Sequence, residues 1–182
     1  MTTAFPGFST PSAGAEAPLE MLSACHIRIE HQCATLKRLA AHLTEHGADD
    51  QARQAAANIM RYFDTSAPQH HADEEESVFP ALIESMAGSD AVCIRQMIEG
   101  LTADHRALEA GWRGLRRTLE QIVAGQSAEL PSSDVAKFIE LHERHLKIED
   151  DDLLPMAARL LGDDELDHIG RAMRERRGIG AI

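Results

Sequence analysis

The sequence has few aromatic residues and a shortage of positive charge. Aromatics make up 4% of the 182 residues, and 18 Lys and Arg stand against 30 Asp and Glu, giving a net charge of −12. An acidic surface is repelled by nucleic-acid phosphates and by anionic membranes, so neither is an expected partner. Abundant Ala, Leu, Glu and Arg favour helices over sheets.

Long apolar runs and paired cysteines are also missing. No run approaches the ~20 apolar residues of a transmembrane helix. The N-terminus lacks the basic and apolar segments of a secretory signal. Cys25, Cys33 and Cys93 form no CxxC pair, which fits a reducing cytoplasm. We therefore expect a cytoplasmic protein whose cysteines are small core residues. A redox role for Cys25, beside His26, stays open.

The periodicity of the chain predicts an all-α protein. Residues 1–18 are rich in Pro, Gly, Ser and Ala and predict a flexible tail. Four segments with apolar residues at steps of three and four follow, at about 19–46, 49–88, 89–125 and 132–162. A short fifth helix is predicted at about 164–177. Short connections indicate one domain over 19–177, an up-down-up-down four-helix bundle. Pro68 predicts a kink in the second helix.

The chain contains an internal repeat. HHADEEESVFP at 70–80 matches HLKIEDDDLLP at 145–155 with an offset of 75, which pairs His70 with His145 and Glu74 with Glu149. The first and third helices match with an offset of 79, which pairs His26 with His105. The two halves, 19–88 and 89–162, are therefore related helical hairpins. Each carries a lone inward histidine followed by HxxxE.

This repeat predicts a buried metal site. HxxxE places both side chains on one helix face, one turn apart. With every apolar stripe facing inward, six polar groups enter the core: His26, His70, Glu74, His105, His145 and Glu149. Buried charges without partners cost several kcal/mol each, and a bound cation removes that cost. Nitrogen and oxygen ligands without thiolates suit iron, manganese or zinc. Two carboxylates suit a bridge between two metals roughly 3.5–4 Å apart.

The positions beside these six lie off the stripe. His71 and Glu76 are predicted to face solvent, and Glu75 is at most an outer partner of a ligand. His142 shares a face with His145, and its role as an outer partner stays open. A shift of one residue would instead make His71 and Glu75 the inward pair. Four further histidines are predicted to lie on the surface: His31, His42, His46 and His168.

Residues from about 20 to 161 resemble the hemerythrin-like, HHE cation-binding family. The resemblance rests on His26, on HxxxEExxxFP from His70, on DHRAL around His105 and on HxxxEDxxxLP from His145. It implies a bundle with a non-haem di-iron centre, two iron ions held by the six residues above and bridged by carboxylates and an oxo or hydroxo group. The family's roles include binding O2, responding to nitric oxide or peroxide, and handling iron.

One departure from the family argues against simple reversible oxygen carriage. Oxygen-carrying hemerythrins have an HxxxH pair on the third helix, whereas Leu101 and Glu109 stand four residues either side of His105. The set of four histidines and two glutamates is closer to bacterial proteins that repair damaged iron centres. An interaction or sensor module with a structural metal, iron or zinc, is the alternative. No further acid–base residue argues for catalysis, so enzyme activity and protein partners stay open.

Overall fold

A computed structural model describes residues 17–85, 90–126 and 129–179, and these parts of the chain contain helices and no strand. The α-helices are α1 (Pro18–His46), α2 (Asp50–Asp73), α3 (Phe79–Glu84), α4 (Asp90–Val123), α5 (Ser132–Ile148), α6 (Leu154–Leu160) and α7 (Asp163–Arg176). Two π-helical turns, Glu74–Val78 and Glu149–Leu153, join α2 to α3 and α5 to α6. The expected flexible tail lies almost wholly outside the described residues.

Local sequence signals account for the helix ends. Asp49 precedes α2, and its side chain accepts a hydrogen bond of 2.8 Å from the backbone N–H of Ala52. Gly47 ends α1 with φ at 68°, a conformation that favours glycine, and its N–H donates to the Leu43 carbonyl. Helix α2 runs without interruption through Pro68 to Asp73. Pro68 has no N–H to donate to the preceding turn.

The long helices form a closed four-helix bundle, as predicted. Helix α1 packs on α2, α2 on α4, α4 on α5, and α5 on α1. The connection from α1 to α2 is only three residues long, so these neighbours run in opposite directions. Helix α7 packs against α1 and α2. The buried residues of α4 follow the steps of three and four that predicted this helix: Ile94, Ile98, Leu101, His105, Leu108, Trp112, Leu115, Leu119 and Ile122.

The apolar core is divided into two clusters along the bundle axis. One cluster includes Ile29 and Leu108, and the other includes Leu22 and Leu101. On α4, His105 falls between Leu101 and Leu108, and on α1 the corresponding position lies between Leu22 and Ile29. The bundle therefore has a polar layer enclosed by apolar side chains on both sides. Such a layer is shielded from bulk water.

A buried carboxylate attaches α7 to the bundle. Asp73 is fully buried and pairs with both Arg176 and Arg177. The repeat gave no sign of this contact, because the position equivalent to Asp73 in the second hairpin is Ile148. The pairing fixes the last residue of α2, which directly precedes Glu74.

The cysteines differ from one another in burial. Cys25 and Cys33 are buried, as predicted, whereas Cys93 is exposed, so the prediction of a core position was wrong for Cys93. Cys93 precedes the buried Ile94 on α4 and therefore lies off the apolar stripe. Cys25 accepts a hydrogen bond of 3.2 Å from the Arg28 guanidinium.

Candidate metal centre

Four helices and two π turns bring the six candidate ligands into one layer. His26 comes from α1, His70 from α2, His105 from α4 and His145 from α5, and each is at most 2% exposed. The glutamates come from the π turns. Glu74 is the first residue of one turn and Glu149 is the first residue of the other. Both are fully buried. The inward pair on the second helix is therefore His70 and Glu74, in the predicted register.

One half of the layer is formed by His26 and His70. The Nε2 atom of His26 lies 3.2 Å from Oε2 of Glu149. The Nε2 atom of His70 lies 3.6 Å from Oε1 of Glu74 and 3.9 Å from Oε2 of Glu149. Ligand atoms of these four residues all lie within 4.8 Å of one another, so they could hold one cation.

The other half is formed by His105 and His145 with the same two glutamates. His105 Nε2 lies 3.3 Å from Oε2 of Glu74, and His145 Nε2 lies 2.8 Å from Oε1 of Glu149. The two Nε2 atoms are 3.1 Å apart. Ligands at ~2.1 Å from one ion and at right angles lie roughly 3 Å apart, which matches this spacing. Each carboxylate thus turns one oxygen to each histidine pair.

The π turns accompany a repeated proline. The N–H of Phe79 bonds to the carbonyl of Glu74, five residues back, and the N–H of Leu154 bonds to that of Glu149 in the same way. A proline directly follows both Phe79 and Leu154. Proline has no N–H and its ring collides with a regular α-helical turn, so a wider turn before it relieves the conflict. Neither π turn was predicted from the sequence, although the repeated proline was the available signal.

Two acidic side chains hold the lone histidines from outside the layer. The Nδ1 of His26 donates to Oδ1 of Asp150 at 2.7 Å, and the Nδ1 of His105 donates to Oε1 of Glu75 at 2.7 Å. Because Nδ1 carries the proton, Nε2 is free to bind a metal. Each hairpin supplies the partner for the other hairpin's histidine. Glu75 also pairs with Arg106 and has the outer position that was predicted for it.

The unpaired polar atoms of the layer show that a cation fits. Both oxygens of Glu74, both oxygens of Glu149 and the Nε2 atoms of His26 and His70 are buried and have no hydrogen-bond partner among the described residues. Buried polar atoms without partners are rare in folded proteins. Here they face one another across a short gap, with imidazole nitrogens opposite carboxylate oxygens. Cations would satisfy all of them together.

Protons occupy this layer when no metal is bound. Burial, reinforced by the Glu149 carboxylate, raises the pKa of Glu74 to about 8. Burial lowers the pKa of His70 to about 3. Burial also lowers the pKa of His26 and His105, but the neighbouring carboxylates outweigh it. The pKa of His26 is therefore raised to about 9 and that of His105 to about 10. Metal binding must therefore displace protons from the site.

The prediction that His71 faces solvent is wrong. His71 is only 8% exposed. Its ring stacks on His105, with centroids 3.9 Å apart and an angle of 12° between the planes. The position lies one step off the stripe, but α4 packs against this side of α2 and covers it. Burial lowers the pKa of His71 to about 2, so the ring is neutral.

The other neighbouring positions mostly agree with the predictions. Glu76 is exposed and pairs with Arg176. His142 is buried, and its Nδ1 donates to the Phe138 carbonyl at 3.0 Å, away from both ligand groups. His31, His46 and His168 are exposed, and His42 is partly exposed.

The fold and this layer define a class of protein: antiparallel four-helix bundles that hold cations with imidazoles and carboxylates from facing helices. The family model described as the hemerythrin HHE cation binding domain matches residues 17–157. The chain belongs to that family, whose domain binds cations.

A relative of similar length was also found. An "Uncharacterized protein" of Haemophilus influenzae (strain Rd) is 31% identical over 162 residues, which cover 89% of this chain and 91% of the relative. Among the described residues, no helix has the length and apolar character needed to cross a membrane.

Proposed function

We propose that this chain is a non-haem di-iron protein that binds or responds to O2, nitric oxide or peroxide, or handles iron. The observation that supports it is the shared pair of glutamates. Glu74 presents Oε1 to His70 and Oε2 to His105, and Glu149 presents Oε2 to His26 and Oε1 to His145. One cation would use only half of these atoms, whereas two cations use all of them.

The ligand chemistry favours iron. Each half offers two imidazole nitrogens and two carboxylate oxygens and no thiolate. Sites with two histidines, carboxylate oxygen and open positions are typical of non-haem iron. Iron bound there would supply redox chemistry and open positions for a small ligand. The proposed setting is the cytoplasm, because the cysteines are sparse and unpaired.

The protein's own groups would orient and shield such a centre. Asp150 and Glu75 hold the lone histidines in the tautomer that leaves Nε2 free. The apolar clusters on both sides limit the access of water. Glu109 pairs with Arg106 at 2.8 Å on the surface, so it is not available as an additional ligand on α4. This supports sensing or iron handling over the oxygen carriage of family members with an HxxxH pair.

The test is anaerobic loading with ferrous iron, followed by metal analysis and visible spectroscopy. We expect two irons per chain, and a change in the spectrum of the reduced protein when nitric oxide is added. Matched variants are Glu149→Gln, which should lose iron, and Asp151→Asn, which alters an exposed neighbour paired with Lys147. A chain that binds one iron or fewer would contradict the di-iron proposal.

A structural metal is the second candidate. Its support is that the ligands come from α1, α2, α4 and α5, so a bound ion would cross-link the whole bundle. Zinc loading discriminates between the two. If zinc raises the melting temperature as much as iron does, and iron-loaded protein shows no spectral response to O2, nitric oxide or peroxide, the structural role is favoured.

A further inference from the structure

A small cavity lies between α2, α4 and α5, beside the metal layer. Its volume is about 160 Å³. Most of its wall is apolar or aromatic: Phe63, Ala67, Leu108, Trp112 and Phe138. Pro68, Glu109 and Arg113 line its outer part, and the exposed side chains of Pro68 and Arg113 show that the cavity opens to the surface. An apolar cavity of ~150 Å³ is large enough for xenon or benzene.

The cavity walls are held in place by specific contacts. Trp112 donates from Nε1 to Oδ1 of Asp64 at 2.9 Å. The ring of Phe63 lies 4.9 Å from that of Trp112 and 5.3 Å from that of Phe138. Aromatic pairs at these separations attract one another beyond the burial of their area. Packed aromatic rings therefore form a fixed inner wall of the cavity.

Two imidazoles line the cavity, and one of them separates it from the metal layer. His71 stacks on His105 at 3.9 Å, and its ring centroid lies 6.3 Å from that of His145. Its Nδ1 is buried and has no hydrogen-bond partner among the described residues. His142, the second imidazole, lies 4.5 Å from Phe138, ring to ring. The cavity thus ends one ring away from two candidate metal ligands.

We infer that this cavity binds a small uncharged diatomic molecule, O2 or nitric oxide, and delivers it past His71 to the metal layer. The apolar inner wall disfavours ions, and the volume suits a small molecule. Binding in the cavity depends only on its walls, whereas delivery also rests on the proposed di-iron function.

Xenon tests the binding step in the metal-free protein. Methyl NMR under xenon pressure should show saturable shifts at Ala67 and Leu108. Ala67→Phe fills the cavity and should abolish the shift at Leu108. Ala55→Phe is the matched control, because it lies on the same helix in a separate recess between α1 and α2. Absence of a shift in the wild type, or an unchanged Leu108 shift in Ala67→Phe, would overturn the inference.

Stopped-flow mixing of nitric oxide with reduced, iron-loaded protein tests delivery. Ala67→Phe should slow association at least tenfold with unchanged iron content, and Ala55→Phe should not. Arg113→Trp changes a surface residue at the cavity mouth and should also slow the association of nitric oxide. Because this change is not in the core, it keeps the test valid if Ala67→Phe misfolds. Equal rates in all variants would refute delivery. If the protein binds no iron or nitric oxide, the di-iron proposal fails, and the xenon result still decides whether the cavity binds gas.

Discussion

Removal of the outer carboxylates should weaken metal binding by different amounts at the two histidine pairs. Both Asp150 and Glu75 accept from an Nδ1 at 2.7 Å. Such partners typically contribute 10–100-fold to metal affinity. The Asp150 side chain is 47% exposed and that of Glu75 is 21% exposed, so solvent screens the Asp150 contact more. We therefore expect roughly tenfold loss for Asp150→Ala and up to roughly 100-fold for Glu75→Ala.

The assay is a titration of metal-free protein with Co²⁺ in competition with a chelator. Paramagnetic NMR adds the location, because the protected Nδ1–H of each lone histidine should give a shifted signal. Asp150→Ala should remove the signal of His26 and leave that of His105. The matched controls are Asp151→Ala and Glu76→Ala. The Asp151 carboxylate pairs with Lys147 and that of Glu76 with Arg176, and neither contacts a candidate ligand.

Two results would refute this reasoning. If Asp150→Ala and Asp151→Ala bound Co²⁺ with equal affinity, the hydrogen bond to His26 would have no part in metal binding. If Asp150→Ala lost more affinity than Glu75→Ala, exposure would not govern the contribution of these carboxylates.

Two further predictions concern stability. In metal-free protein, His26 and His105 keep protons that the unfolded chain releases near pH 6.5, so their stabilisation is complete below that pH and is lost as pH rises through about 9 and about 10. Urea unfolding at pH 6.5 and 9.5 should show a loss on the order of 3 kcal/mol for each of the two histidines, smaller with metal; a gain would contradict it. Asp73→Ala removes the buried carboxylate that Arg176 and Arg177 share, while Arg176 keeps its pair with Glu76; we expect a loss of about 3 kcal/mol, measured by melting, and a shift under about 2 °C would contradict it.

The repeat explains why most of the site was predictable. The offset of 75 pairs His70 with His145 and Glu74 with Glu149, and the offset of 79 pairs His26 with His105. The inward register of His70 was therefore supported twice, by its own stripe and by that of His145. The long three-and-four stripe on α4 likewise predicted the bundle, because a helix must bury such a face against neighbours.

The features that sequence reasoning missed depend on packing between distant segments. His71 is buried because α4 covers it, and a single-helix stripe cannot show which flank a neighbour covers. Asp73 meets Arg177 across 104 residues, outside the repeat. Cys93 shows the opposite case, since residue type favoured burial but position on α4 left it exposed. Helix periodicity fixes the inward face, and only the packed bundle fixes its edges.

The measurement that tests the central claim most directly is an anomalous difference map from crystals of the iron-loaded protein. We predict two peaks, roughly 3.5–4 Å apart. Glu74 and Glu149 should each place one oxygen on either peak, with His26 and His70 completing one and His105 and His145 the other. A single peak, or two peaks that share neither glutamate, would contradict the account.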